Sequence, residues 1–177
     1  MLLNEAAPVF NAPFETECIR LLGEDGIQAA AMAWATGTPD VPEYAHPALV
    51  DCVRMMNRYG SILNRHEYGN PNPALSNDLI NRYTREHLLF SDAGFRPPPT
   101  VLGEFGAVRA WLVGGRIQLD ANTGWIGLGF SEEFYAAWIL SMDAAWYKPR
   151  GIHWNLYQWG GAGRWAVSYT HLTLPTI

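Results

Sequence analysis

Residues 107–119, Ala-Val-Arg-Ala-Trp-Leu-Val-Gly-Gly-Arg-Ile-Gln-Leu, decide the fold class. Two short β-prone runs, Ala107 to Val113 and Arg116 to Leu119, flank Gly114-Gly115. Paired glycines reach the positive φ angles that a two-residue hairpin turn demands. Ahead of Gly106 the apolar spacing is three to four residues; beyond it the spacing is two. The chain therefore reads as α+β: a helical N-terminal half followed by a sheet.

Downstream of the hairpin, Asp120 to Gly124 forms a second turn and Trp125 to Phe130 a third strand. Ser131 is an N-cap, with Glu132 and Glu133 on the positive end of the helix dipole. Phe134, Trp138 and Met142 make that helix's buried stripe, and Pro149 and Gly151 end it. Ile152, Trp154 and Leu156 then alternate with His153, Asn155 and Tyr157 as a last strand. The order is β-β-β-α-β, which implies a mainly antiparallel sheet.

Upstream, Pro13, Glu15 and Glu17 open a helix that stops at Gly23. The alanine-rich stretch 27–35 predicts a second short helix, and 36–46, with Gly37, Pro39 and Pro42, a loop. Pro47 opens the clearest helix: Leu49, Val53, Met56 and Leu63, with Cys52 and Tyr59 beside them, form one apolar stripe, broken at Gly60. His66 to Pro73 reads as polar loop, and a further helix follows from about Asn77 to Phe90. Arg96-Pro97-Pro98-Pro99 is stiff and extended. These signals divide the chain into a helical region (1–93), a Pro-rich linker (94–104) and a sheet-plus-helix region (105–166).

Residues 167–176, Val-Ser-Tyr-Thr-His-Leu-Thr-Leu-Pro-Thr, resemble the translation of a transposase-type sequencing-library adaptor. That resemblance implies an assembled metagenomic reading frame with an artefactual tail at 167–177, so fold reasoning rests on residues 1–166.

Charged residues make up 16% of the chain and the net charge is −5, which argues against a disordered chain and against nucleic acid as a partner. Arg54, Arg58, Arg65, Arg82 and Arg85 lend the middle of the chain basic character, read as an answer to the acidic residues of positions 1–45. The N-terminus lacks a basic signal-peptide region and no apolar run approaches 18 residues, so no membrane association and a cytoplasmic location are expected. Two cysteines make neither a disulfide framework nor a zinc site. Cys52 on its apolar stripe is expected to be buried rather than a nucleophile.

Seven of the eight tryptophans lie between Trp111 and Trp165. Indole is a flat platform for sugars or a protein partner. Trp138 and Trp146, at helical spacing, read as core. Trp159 and Trp165, beside Gly160 to Gly163, and Trp125 are the candidate binding residues. The expected function is a non-catalytic binding or assembly protein with a protein or carbohydrate partner. The alternative is a small transferase or hydrolase using the sheet–helix cleft, with His153, Glu132 and Glu133 as its polar groups. The element order resembles that of the acetyl-coenzyme A-dependent N-acyltransferases. That resemblance implies a pyrophosphate-binding turn at Gly127-Leu128-Gly129, although Gly124 stands where that family has Arg or Gln. No metal site and no cofactor are expected.

Overall fold

The structure is a computed structural model that describes residues 7–75, 81–120, 125 and 127–156. Its elements in chain order are α1 (Pro8–Glu24), β1 (Ala30–Trp34), α2 (Pro47–Tyr59), β2 (Ile62–Gly69), α3 (Tyr83–Asp92), β3 (Thr100–Ala107), β4 (Arg109–Val113), β5 (Arg116–Asp120), α4 (Glu132–Met142) and β6 (His153–Leu156). The class is mixed α and β, but the main sheet is not antiparallel. Its order is β1-β2-β3-β6, and every neighbouring pair is parallel. Only the β4–β5 hairpin is antiparallel.

The stretch 27–35 is not a helix. Parallel strands covered on both faces show apolar runs without alternation, and β1 is such a run, buried at Ala31, Met32, Ala33 and Trp34. Helix propensity of alanine yields here to burial. His66 is likewise not in a loop: β2 runs through Asn64, Arg65, His66, Glu67 and Tyr68, polar residues that find partners inside the fold. Trp125 and residues 127–130 form a turn rather than a strand, with the N–H groups of Leu128 and Phe130 both donating to the Trp125 carbonyl. The Pro-rich stretch leads straight into β3. One sheet therefore takes strands from both sides of it.

The helices agree better with the pattern. α2 buries Leu49, Cys52, Val53 and Met56, and Gly60 caps it at φ 67°. The Ser131 hydroxyl caps α4 by accepting from the Phe134 N–H at 3.2 Å. Its inward stripe is Tyr135, Trp138 and Ile139; Phe134 is half exposed and rests on Phe130. α1 begins at Pro8, so Pro13 lies inside it rather than at its start.

Strand order equals chain order, so successive crossovers step in one direction and right-handed connections place their helices on one face. The contacts agree. Leu63 packs with Met56 of α2, Arg65 pairs with Glu86 of α3, and Phe105 meets the Trp138 ring of α4 at 5.5 Å. Tyr83 of α3 also meets Phe105, which ties the β2 and β3 contacts to the same side. Alternate residues of β2 thus face the helices (Leu63, Arg65, Glu67), and those between them face away (Asn64, His66, Tyr68).

Candidate functional site

The β2–β3 register brings chemistry to the face turned away from the helices. Arg65 pairs with Leu102, yet the next residue, His66, pairs with Glu104. Gly103 is therefore an extra residue, a bulge that turns Glu104 to the same side as His66 and Tyr68. A Cβ at position 103 would overlap the Asn64 side-chain amide, which explains the glycine.

On this face the Tyr68 hydroxyl donates to Glu104 Oε2 at 2.8 Å, and His66 Nδ1 lies 3.4 Å from the same oxygen. The Glu104 side chain is 23% exposed and that of His66 3%. One carboxylate is thus held from two sides and still reaches solvent. Thr36 pins β2 from the end of β1: its hydroxyl donates to the His66 carbonyl and accepts the Tyr68 N–H, both at 3.1 Å. Asn70 Nδ2 donates to the Val108 carbonyl at 2.9 Å and the Val108 N–H donates to Gly69, joining the exits of β2 and β3. Val108 and Ala110 then pack with Tyr68, Leu75 and Ile117, so the hairpin root rests on the tyrosine that holds Glu104.

The helix side of the same strand holds a different cluster. Arg65 pairs with Glu67 at 3.0 Å and with Glu86, and Glu86 accepts from the Tyr44 hydroxyl at 2.6 Å. The Arg82 N–H donates to Glu67 at 3.0 Å, while its guanidinium meets the Pro39 carbonyl. Burial pushes the Glu67 carboxyl up to about 7, with the Arg65 charge opposing and the Glu86 charge adding to the shift. Burial also works against the Arg65 charge, but the Glu86 and Glu67 carboxylates outweigh it and hold the guanidinium above its ordinary value. Arg65, Glu67 and Arg82 are sealed from water, and Glu86 borders a cavity at the other end of the sheet. Arg65 and Arg82 are accordingly parts of the core, not of a basic surface.

The sequence candidates fall elsewhere. His153 is exposed on β6 opposite Val101, near the start of β3. Glu132 and Glu133 are exposed in the first turn of α4; hydrogen bonds from the Glu133 N–H and the Ser131 hydroxyl lower the Glu133 carboxyl. Trp125 is 6% exposed and stacks on Tyr135 at 5.2 Å, so it fills the core and offers no open platform. Trp159 and Trp165 lie outside the described residues, as does the tail at 167–177. Gly127-Leu128-Gly129 precedes a helix start already capped by Ser131 and flanked by two acids, and the parallel sheet does not follow the N-acyltransferase order. Cys52 is fully buried, and burial pushes its thiol up to about 12.

Among the described residues no three His, Cys, Asp or Glu gather as a metal site, and no helix is long and apolar enough to cross a membrane. A cavity of about 600 Å³ between α3, Arg96 to Thr100 and Arg150 to Ile152 opens at the starts of β3 and β6, the opposite end from Glu104. His66, Tyr68 and Glu104 were not singled out from sequence. Their only signal is a continuous polar run from Asn64 to Glu67 that follows Ile62 and Leu63, and a single acid, Glu104, set between Leu102 and Phe105.

Comparison with protein-family models, with curated sequences and with solved structures finds no match.

Proposed function

We propose that this chain is part of a carbohydrate-active hydrolase in which Glu104 is the carboxylate that meets the sugar. The observation that carries the reading is Glu104 itself: held by Tyr68 beside His66, partly open to solvent, in the carboxyl-terminal half of a parallel strand. Parallel α/β sheets place their reactive groups beyond the carboxyl ends of the strands. A sheet whose parallel strands follow chain order, with every helix on one face, is wound as a (β/α)₈ barrel is, and we read β1, β2, β3 and β6 as an arc of one. In a barrel the face away from the helices is the interior, and the ends of β2 and β3 belong to the catalytic rim.

Hydrolysis of a glycosidic bond uses two carboxyl groups, one opposing the positive charge that develops at the anomeric carbon and one protonating the leaving oxygen. Glu104 fits the first role, because Tyr68 and His66 fix the direction of its carboxylate. The second carboxyl is, on this reading, supplied from outside the described residues. The abundance of tryptophan supports a sugar substrate, since indole faces stack on sugar rings.

Hydrolysis of nitrophenyl glycosides by the protein that carries this chain tests the proposal. Glu104→Gln keeps the shape of the side chain and is expected to lower kcat at least a hundredfold. Equal turnover by the variant rejects it. The second reading, a non-catalytic binder of a protein or carbohydrate partner, is favoured by one observation: Trp111 is an exposed indole on the hairpin. Saccharide binding with no turnover, unaffected by Glu104→Gln, is its signature.

A further inference from the structure

We infer that the β4–β5 hairpin is a saccharide platform that extends the Glu104 site to a chain substrate, with Trp111 as its stacking plane and an oligosaccharide as its occupant. The inference rests on the carbohydrate reading above and adds a substrate class, a sugar chain rather than a single sugar.

Position comes first. The hairpin leaves β3 directly: Arg109 opens β4 two residues after Ala107 closes β3. Its root packs on Tyr68 through Val108 and Ala110, so its placement is tied to the residue that holds Glu104. Trp111 lies seven positions after Glu104, at most about 23 Å of extended chain, a distance that a few linked sugar rings span.

Chemistry comes second. The pairs Arg109–Asp120, Trp111–Gln118 and Val113–Arg116 share one face of the hairpin, while Ala110 and Leu112 with Ile117 share the other. The Trp111 side is therefore an indole beside one exposed apolar residue, Val113, and bordered by two guanidiniums, a carboxylate and an amide. The Arg109 guanidinium lies over one face of the Trp111 ring, 5.4 Å from its centre, and Trp111 remains 39% exposed, so the opposite ring face is the one offered to a sugar. A sugar ring presents C–H groups on its flat face and hydroxyls around its edge, which is the complement of an aromatic plane with planar hydrogen-bonding groups at its border. The core of a protein interface wants apolar neighbours around such an anchor instead, and charged groups are depleted there.

Rigidity comes third. Gly114 and Gly115 sit at φ 56° and 77°, the angles of a tight two-residue turn that keeps Gln118 opposite Trp111. A platform on paired strands loses little entropy when a ligand settles on it.

The test measures kinetics on two substrates, a nitrophenyl β-glycoside and β-1,4-linked hexasaccharides of glucose, xylose or mannose, with the full chain carrying Trp111→Ala, Trp111→Phe or Glu104→Gln. Trp111→Ala is expected to raise KM for the cleaved hexasaccharide about tenfold more than KM for the nitrophenyl glycoside, and Trp111→Phe to restore most of the difference. Equal KM changes on both substrates, with Glu104→Gln inactive on both, overturn the platform and leave the Glu104 reading standing. Turnover that survives Glu104→Gln, or no turnover by the unaltered protein that carries this chain, overturns the Glu104 reading. In that case hexasaccharide titration followed by tryptophan fluorescence decides the platform, and the same affinity with and without Trp111, or no binding at all, overturns it.

Discussion

Arg65 and Glu67 point from β2 toward the helices; His66 and Tyr68, interleaved with them, point to the other side. The two pairs differ in what they give up to be there. Arg65 and Glu67 have left water entirely; they pair with each other and with groups of α3, and Tyr44 joins them through Glu86. His66 and Tyr68 converge on Glu104, whose carboxylate keeps contact with solvent. Buried ion pairs are weak contributors to stability but costly to break, because removing one partner strands the other in low dielectric. A carboxylate that is oriented yet open is instead available to a ligand. One strand thus separates charge that holds the fold from charge that can act, and the separation follows from the two-residue period of the strand.

Removing a helix-side charge should break this arrangement most severely. Arg65→Ala leaves Glu67 and Glu86 buried without their cation and is expected to cost about 3–5 kcal/mol, read as a lowered midpoint in urea. A loss below about 1 kcal/mol, the range of exposed ion pairs, means that the network is not sealed.

The pH dependence of stability sharpens the same side. The Glu67 carboxyl is raised from 4.5 to about 7, so the folded chain holds that proton more tightly than the unfolded one. Its contribution is full below about 4.5 and is lost as pH rises to about 7. The melting temperature of the unaltered chain should therefore carry a falling component across that window. Glu67→Gln, which mimics the protonated form, should flatten the profile, and an identical slope in the variant shows that another group titrates.

The smallest effect expected concerns Cys52, packed with Leu63 and Met56 beneath the sheet. With its thiol pushed up to about 12 and fully buried, it should react with a thiol reagent only as fast as the fold opens. Cys18, partly exposed on α1, should label first. Fast labelling of Cys52 in the native chain contradicts a closed helix face.

The elements that could be read from sequence share a physical cause. α2 and the start of α4 announce themselves by a stripe and a cap, and the β4–β5 hairpin by its glycine pair. These are local signals, complete within a dozen residues. β1, β2 and β3 lack them. A parallel strand between two covered faces has no polar side to alternate with, and β2 carries Arg65 and Glu67 inward, which reverses the usual pattern. The chain 62–69 therefore resembles loop, and the expected antiparallel sheet follows from missing three strands of the parallel one. The candidate site was hidden for the same reason. Tyr68 and Glu104 are 36 residues apart, and only the β2–β3 register with its extra Gly103 brings them together. Helical spacing did place Trp138 in the core, where it is 8% exposed.

The division between the two faces of β2 is tested most directly by a paired measurement on Glu104→Gln: urea midpoint and glycoside turnover in the same preparation. The midpoint is expected to stay within about 1 kcal/mol of the unaltered chain, because a partly exposed carboxylate with one hydroxyl donor and an imidazole at 3.4 Å contributes little net stability, while nearly all turnover is lost. A variant that unfolds as readily as Arg65→Ala, or one that turns over substrate unchanged, would contradict the division between the two faces of β2.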